Sequence, residues 1–515
     1  MFDSSDFVRP EVVHGSTDSP RTVGSLYMLQ SRITMRRNMR QRLQIWSKVL
    51  LLVCVSSLVL QSISAQETYK DLEFPPLQFT PPFVERHTLE NGMQLFLVED
   101  HELPVVSMYA LIRTGKIYEP EDKLGVAELT AEVMRTGGTD SRSAGEINET
   151  LEFLASSVEV DVDGESASAG LWTLTRNLDT SLDVFADILR QPAFEQEKVD
   201  LAIGQSLEIL RRRNDSPQSI RGREFLRIVY GKMHPLARIP QVETVSAITR
   251  DDLIAFYRTY FHPNNIMLAV TGDFETQEML QKLEAVFGDW PSQEIDFPDV
   301  EEVVPEYSPS VHLIHKEVEQ TNFALGHIGI KADNPDYPAI RVLDLMLGSG
   351  GFSSRLFQKV RTERGLAYSV GSYLGAGTRD YGAFMIYSGT RNDSVQEAIQ
   401  VILDEVNAFI ETEVSDRELE AAKNQYINSY VFKIATVDDI VRRKMFYEYV
   451  GYPPDFLETF RERVMNVTKA DVLRVAQTYL KPDQMKILAV GNREAIQEAL
   501  SPFGEVQEFE LDPVE

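Results

Sequence analysis

Cysteine occurs once in the 515 residues, at Cys54. One thiol cannot close a disulfide within the chain, and it cannot supply the several thiolates of a structural zinc site. Histidine is scarce too: there are eight, and none stands in an H-x-x-E-H or H-E-x-x-H pattern. His312 and His315 come nearest, but three residues apart on a strand they point to opposite faces. Basic residues are in deficit, 51 against 79 acidic, for a formal net charge of −28. A surface of that sign repels phosphate backbones, which excludes nucleic acid and favours basic or neutral partners.

A long apolar run is also missing. The run at 49–60 is short of the ~20 residues that a membrane helix needs. It follows Arg32, Arg36, Arg37, Arg40, Arg42 and Lys48 and gives way to QSISAQE. A basic stretch, a short apolar core and a small-residue site near Ala65 are the parts of a secretory signal peptide. Residues 1–65 are therefore expected to be an N-terminal extension and signal, the protein exported to the periplasm or secreted, with no stable membrane span after cleavage. A mitochondrial presequence is the rival reading, weakened because presequences are amphipathic and lack a solid apolar run. An uncleaved anchor is the other.

What remains has ordinary globular composition, 43% hydrophobic and 25% charged. HTLENGMQLFLVED (87–100) alternates on both sides of Asn91-Gly92, which predicts a hairpin with a two-residue turn. VVSMYALIRTG (105–115) reads as a strand. LGVAELTAEVMRTGGT (124–139) reads as a helix, with Leu129 and Val133 on one face and Gly137-Gly138 ending it.

Self-similarity organises the whole. Segments 248–272 and 467–491 align without a gap, matching at Thr249/Thr468, Asp252/Asp471, Tyr260/Tyr479, Pro263/Pro482 and Gly272/Gly491, an offset of 219 residues (468 − 249). Segments 172–189 and 386–403 align as well, with Arg176-Asn177 opposite Arg391-Asn392, an offset of 215 (391 − 176). Two matches in the same order at nearly one offset predict a tandem duplication. The expected fold class is α+β: two homologous domains, each an antiparallel-rich sheet flanked by helices, forming a clamshell around a cavity. The domains are placed at 83–288 and 311–505. Between them, 289–310 carries Pro291, Pro298, Pro305 and Pro309 among acidic residues and reads as an extended, solvated linker.

Chemistry concentrates at 348–368, GSGGFSSRLFQKVRTERGLAY. Gly348, Gly350 and Gly351 allow a backbone to turn and a ligand to approach without a Cβ in the way, and Ser353 and Ser354 add hydroxyl donors. A helical stretch with Leu356, Phe357 and Val360 on its buried face leads to Arg361 and Tyr368, a fixed fork of donors and a donor on a rigid ring, suited to a peptide carbonyl or carboxylate. The plainer reading is a helix entry with one surface Arg and one core Tyr.

On these residues the chain resembles the insulinase/pitrilysin-like metallopeptidases, the inverzincin group, over 83–495. The resemblance implies two α+β halves closing around an unfolded peptide, with H-x-x-E-H on a helix of the first half, a distal Glu as third zinc ligand, and an Arg and a Tyr seven residues apart in the second half that bind substrate. Arg361 and Tyr368 have that spacing, and Gly348, Gly350 and Gly351 stand where the processing-peptidase branch has its glycine-rich substrate loop. The zinc motif is degenerate. Glu128 falls at the first His, Ala131 at the general-base Glu, Glu132 at the second His, and Glu208 near the distal ligand. Ala131 cannot accept a proton from water.

The resemblance therefore implies a non-catalytic, substrate-binding subunit that is not catalytic alone. It would bind no cofactor itself and would act beside a homologous, zinc-containing peptidase subunit in a heterodimer that handles unfolded peptides. Two alternatives stand beside this one. The first is a scaffold homologue that handles no peptide. The second is a metallopeptidase in which Glu128, Glu132 and Glu208 hold a hard cation, a reading opposed by the repulsion between like charges at that spacing.

Overall fold

The computed structural model describes residues 81–514. Its strands are β1 (Glu85–Thr88), β2 (Gln94–Glu99), β3 (Val105–Ile112), β4 (Ser157–Val162), β5 (Ala167–Leu174), β6 (Ile266–Gly272), β7 (Ser310–His315), β8 (Gln320–Ile328), β9 (Ile330–Lys331), β10 (Ala367–Leu374), β11 (Ala376–Gly377), β12 (Ala383–Arg391), β13 (Lys486–Gly491) and β14 (Val506–Glu508). They form two six-stranded sheets, ordered β1-β2-β6-β3-β5-β4 and β10-β12-β8-β13-β7-β14, and a short parallel pair, β9 with β11.

The second sheet repeats the first. Read from β14, its inner order β7-β13-β8-β12-β10 runs as β2-β6-β3-β5-β4 does. In each sheet the only parallel contact among these five is the first, β2 with β6 and β7 with β13, and the rest are antiparallel. The two α+β halves are thus duplicates in topology as well as in sequence.

The identities that revealed the repeat have local causes. Thr249 and Thr468 are N-caps whose hydroxyls accept from the amides of Asp252 and Asp471, while those carboxylates accept from the Thr amides, a reciprocal pair in both halves. Pro263 and Pro482 open the short turn before β6 and β13. Gly272 (φ 129°) lies where a Cβ would strike the Val105 carbonyl of the neighbouring strand, and at Gly491 a Cβ would strike the Thr321 hydroxyl.

The hairpin at Asn91-Gly92 is looser than expected. Leu89 and Met93 still pair, Leu89 N donating to Met93 O at 3.0 Å, so the loop holds Glu90, Asn91 and Gly92. The Asn91 side chain is used elsewhere: its Nδ2 donates to the carbonyls of Phe287 (2.7 Å) and Trp290 (3.2 Å). Gly92, at φ 90°, takes the left-handed position that closes a three-residue loop.

The halves clasp each other by exchanging helices. Helix Pro217–Tyr230 of the first half lays Ile220, Phe225 and Val229 on Ile314, Ala324, Leu488 and Val490 of the second sheet. Helix Val437–Tyr449 of the second half returns the arrangement, setting Val441 and Met445 on Phe96, Val98, Leu111 and Ala269 of the first sheet. A cavity of about 580 Å³ opens between the halves, lined by Arg113, Asn265 and Met267 on one side and Thr378, Arg379 and Tyr449 on the other. The linker is extended and mostly exposed, as expected, but it is pinned to the fold at a few points. Trp290 and Val303 are buried, and Phe297 packs on Tyr118 and Tyr260 at centroid distances of 5.2 and 5.8 Å. Its few apolar side chains anchor it while its acids and most of its prolines stay in water.

The expected signal peptide lies outside the described residues. Among the described residues, no helix is long and apolar enough to cross a membrane.

Candidate functional site

Two stretches singled out in the sequence occupy equivalent places. Helix Val126–Thr136 lies on the connection from β3 to the edge strand β4, and the glycine turn lies on the connection from β8 to the edge strand β10.

The glycine turn is built inward. After helix Tyr337–Asp344 the chain makes two wide π-type turns, Leu345–Ser349 and Phe357–Glu363, on either side of it; such turns recur at functional sites. Gly348 is buried where a Cβ would meet the Ser372 amide and hydroxyl of β10 at 2.5 and 2.6 Å, and Gly350 where a Cβ would strike the Leu345 carbonyl. Close packing accounts for both. Gly351 differs, with φ 62° and open space around it. The serine hydroxyls also turn inward: Ser353 Oγ donates to the Gly350 carbonyl (3.1 Å) and to Gln425 Oε1 (3.0 Å), and Ser354 Oγ to the Gly351 carbonyl (2.7 Å). They are spent on the turn itself.

Two residues not singled out in the sequence hold this turn. Asp344, fully buried, accepts from Arg341 (2.9 Å) and from Ser372 Oγ (2.6 Å), tying the helix end to β10. Burial pushes its carboxyl up and Arg341 draws it back. Gln425 donates through Nε2 to the Gly350 carbonyl at 2.9 Å. The charged pair inside the apolar run IRVLDLML was the signal available for Asp344; Gln425, 75 residues from its partner, had none.

Arg361 and Tyr368 come together. The Arg361 guanidinium lies 4.6 Å from the Tyr368 ring centroid and 4.7 Å from that of Phe357, and Phe352 meets Phe357 edge-on at 4.7 Å. Leu356 and Val360 are fully buried beneath. Tyr368 is 82% and Phe352 74% exposed, so the Tyr is no core residue. Among the described residues Arg361 forms no ion pair. A planar cation held on two rings with its donors unspent is poised for a carbonyl or carboxylate.

The first-half positions do not suit zinc. Glu128 is exposed and paired with Lys116 at 2.8 Å, and Glu208 with Arg212 at 2.8 Å and Arg211 at 3.5 Å. Glu132 is half-buried, its carboxyl pushed up by burial and by Glu128, and Ala131 is buried. Among the described residues no three His, Cys, Asp or Glu side chains gather as a metal site. The carboxylate site considered for Glu128, Glu132 and Glu208 is thus not assembled, because two of the three have nearer cations. A hydrolytic zinc centre of the inverzincin kind uses two imidazoles and a base, and here Glu128 and Glu132 stand in place of the imidazoles and Ala131 in place of the base.

The helix that carries these positions is nevertheless carefully anchored. Its N-cap, Gly125, has no side chain, and Glu119 substitutes: Oε1 accepts from the amides of Gly125 (3.0 Å) and Ala127 (2.9 Å). Burial raises the Glu119 carboxyl to about 7, against the pull of those amides, Lys116 and Arg238.

Comparison with known proteins settles the family. The family model described as Insulinase (Peptidase family M16) matches residues 95–237, and the one described as Peptidase M16 inactive domain matches residues 247–426. This chain belongs to the insulinase family. An uncharacterized zinc protease of Streptomyces coelicolor is 29% identical over 352 residues, 67% of this chain and 76% of that protein. A protein of Helicobacter pylori named a non-peptidase homolog is 24% identical over 400 residues, 77% of this chain and 91% of that protein. The crystal structure titled peptidase M16 inactive domain from Pseudomonas fluorescens superposes with a TM-score of 0.73 at 24% identity, covering 80% of this chain and 98% of that one. The likeness of fold runs along nearly the whole of that structure and takes in both sheets.

Proposed function

We propose that this insulinase-family chain is a non-catalytic, substrate-binding subunit, exported from the cytoplasm, that works beside a homologous zinc-bearing peptidase subunit. The observation that carries the reading is a division within the chain. The second half presents Arg361, without an ion-pair partner among the described residues, stacked on the exposed Tyr368, while the first-half motif helix has Glu128, Ala131 and Glu132 where imidazoles and a base would be needed. A protein that keeps groups able to hold a peptide and lacks groups able to cut it has a use in a complex that supplies the rest. The name of the Helicobacter pylori relative, a non-peptidase homolog, supports the non-catalytic part of this reading.

In this role the Arg361 fork and the Tyr368 hydroxyl hold backbone carbonyls of an unfolded peptide beside the edge strand β10, and Gly351, open and left-handed, leaves the approach clear. The hydrolytic step belongs to the partner.

The test is the native mass and metal content of the tagged protein purified from its own host. A particle near twice the mass of one chain, holding a second, homologous polypeptide and about one zinc, is expected. A zinc-free monomer or homodimer that binds no unfolded peptide overturns the proposal and leaves a scaffold.

A further inference from the structure

A second cavity, of about 340 Å³, lies wholly within the second half. Its walls are aromatic: Tyr452 stacks on Phe456 at 4.2 Å, Tyr447 meets Phe456 at 4.9 Å, and Tyr426 and Tyr337 meet Phe460 at 5.8 and 5.6 Å. Burial raises the hydroxyls of Tyr426 and Tyr452, so they stay neutral. Three cations, Arg341, Lys433 and Arg443, also line it. Arg341 is spoken for by Asp344 at 2.9 Å.

The other two are not. Among the described residues neither Lys433 nor Arg443 forms an ion pair, although acids outnumber bases 79 to 51 in this chain. Arg443 donates through Nη2 to the Lys433 carbonyl at 3.3 Å, and its buried Nε has no partner. Lys433 Nζ stands 5.7 Å from the Tyr426 ring, and burial together with Arg341 and Arg443 lowers its pKa. Of the carboxylates nearby, Asp344 is committed to Arg341 and Ser372 and Glu458 to Lys444 at 2.7 Å, while Asp333, exposed beside Ala332 at the rim, acts on Tyr452. Two cations brought together in partial burial repel one another, a cost that a bound anion removes.

We propose that this cavity binds a carboxylate carried on an aromatic body, Lys433 and Arg443 meeting the carboxylate while the Tyr447, Tyr452 and Phe456 rings stack against the ligand ring. The volume is at the low end of the 300–1,000 Å³ usual for ligand pockets, right for one aromatic residue. The ligand is either a free aromatic acid or the C-terminal residue of a peptide, which share this chemistry. The inference is independent of the role proposed for Arg361 and Tyr368.

The test is calorimetric titration of the whole protein with N-acetyl-phenylalanine, with its amide, and with a short peptide ending in phenylalanine as the free acid. The acid is expected to bind at least tenfold more tightly than the amide, and Lys433→Met and Arg443→Gln are each expected to weaken it at least tenfold with unchanged thermal melting. Binding of the peptide acid as well identifies a chain terminus as the source, and binding of the small acid alone identifies a free metabolite-like acid; both uphold the site. Equal binding of acid and amide, or no heat from any of the three, overturns it. The acid-against-amide comparison needs no variant, so it decides the matter even where a substitution unfolds the protein.

Discussion

The guanidinium of Arg361 rests 4.6 Å from the ring of Tyr368, a residue seven positions later on the edge strand β10. The contact is on the surface, where a cation on a ring contributes about 0.5–1 kcal/mol. Arg361→Ala should therefore lower stability in urea by less than about 1 kcal/mol, yet weaken binding of an unfolded peptide by tenfold or more, read by fluorescence anisotropy. Arg361→Lys should recover little of it, since an ammonium keeps the charge and loses the planar fork. An Arg361→Ala protein that binds peptide normally removes the pair from the site.

The duplicated caps offer a test of the repeat itself. Thr468 accepts from Asp471 N at 3.1 Å and Thr249 from Asp252 N at 3.4 Å, and loss of such a cap costs ~1 kcal/mol. Thr249→Ala and Thr468→Ala should each lower the unfolding free energy by about that amount, and the double variant by their sum, because the sites are remote from one another. Unequal or strongly non-additive losses would show that the two copies no longer carry equal local weight.

How far the sequence could be read follows from which interactions are local. The repeat was visible because Thr-x-x-Asp and a proline each answer a backbone requirement that both copies share, and because a glycine is needed at the same place in each, against a carbonyl in one copy and the Thr321 side chain in the other. The glycines at 348 and 350 were visible as a turn, but the reason for them was not: Ser372 and Leu345 crowd them, and crowding belongs to the folded chain. The linker was legible as an extended, solvated segment, but its anchors were not, since Trp290, Phe297 and Val303 find partners only in the fold. Nothing in an amphipathic helix says which sheet it will cover, so the exchange of helices between halves was beyond reach. The unsuitability of Glu128, Ala131 and Glu132 for zinc, by contrast, needed only residue types, and coordinates added the ion pairs.

Glu119 should give the protein a distinct pH dependence. Its carboxyl is raised from the ordinary 4.5 to about 7 by burial, so between those values the folded state holds a proton that the unfolded state has released. Stability from this group is then full below about pH 4.5 and falls as pH rises toward 7, by roughly 3 kcal/mol in all. Glu119→Gln keeps an oxygen for the amides of Gly125 and Ala127 and cannot titrate. The difference in unfolding free energy between wild type and variant, followed by urea denaturation from pH 4.5 to 8, should shift in favour of the variant across that window. A flat difference would mean that water or Arg238 keeps the carboxylate ionised.

The exchanged helices predict that the halves are one folding unit. Phe225 is fully buried against the second sheet and Met445 fully buried against the first. Phe225→Ala should cost about 3–5 kcal/mol and Met445→Ala about 2–5 kcal/mol. Each variant should move a single unfolding transition, because each side chain covers the other half's sheet. A chain cut within the linker makes the sharper test. Either fragment alone exposes one face of its own sheet and the apolar face of the helix it donates, so it should aggregate or stay molten. Co-expressed, the two should assemble into a soluble particle of the parent mass, stable to gel filtration. A first-half fragment that is soluble and unfolds cooperatively by itself would show that helix Val437–Tyr449 is an ornament on that sheet and not part of its core.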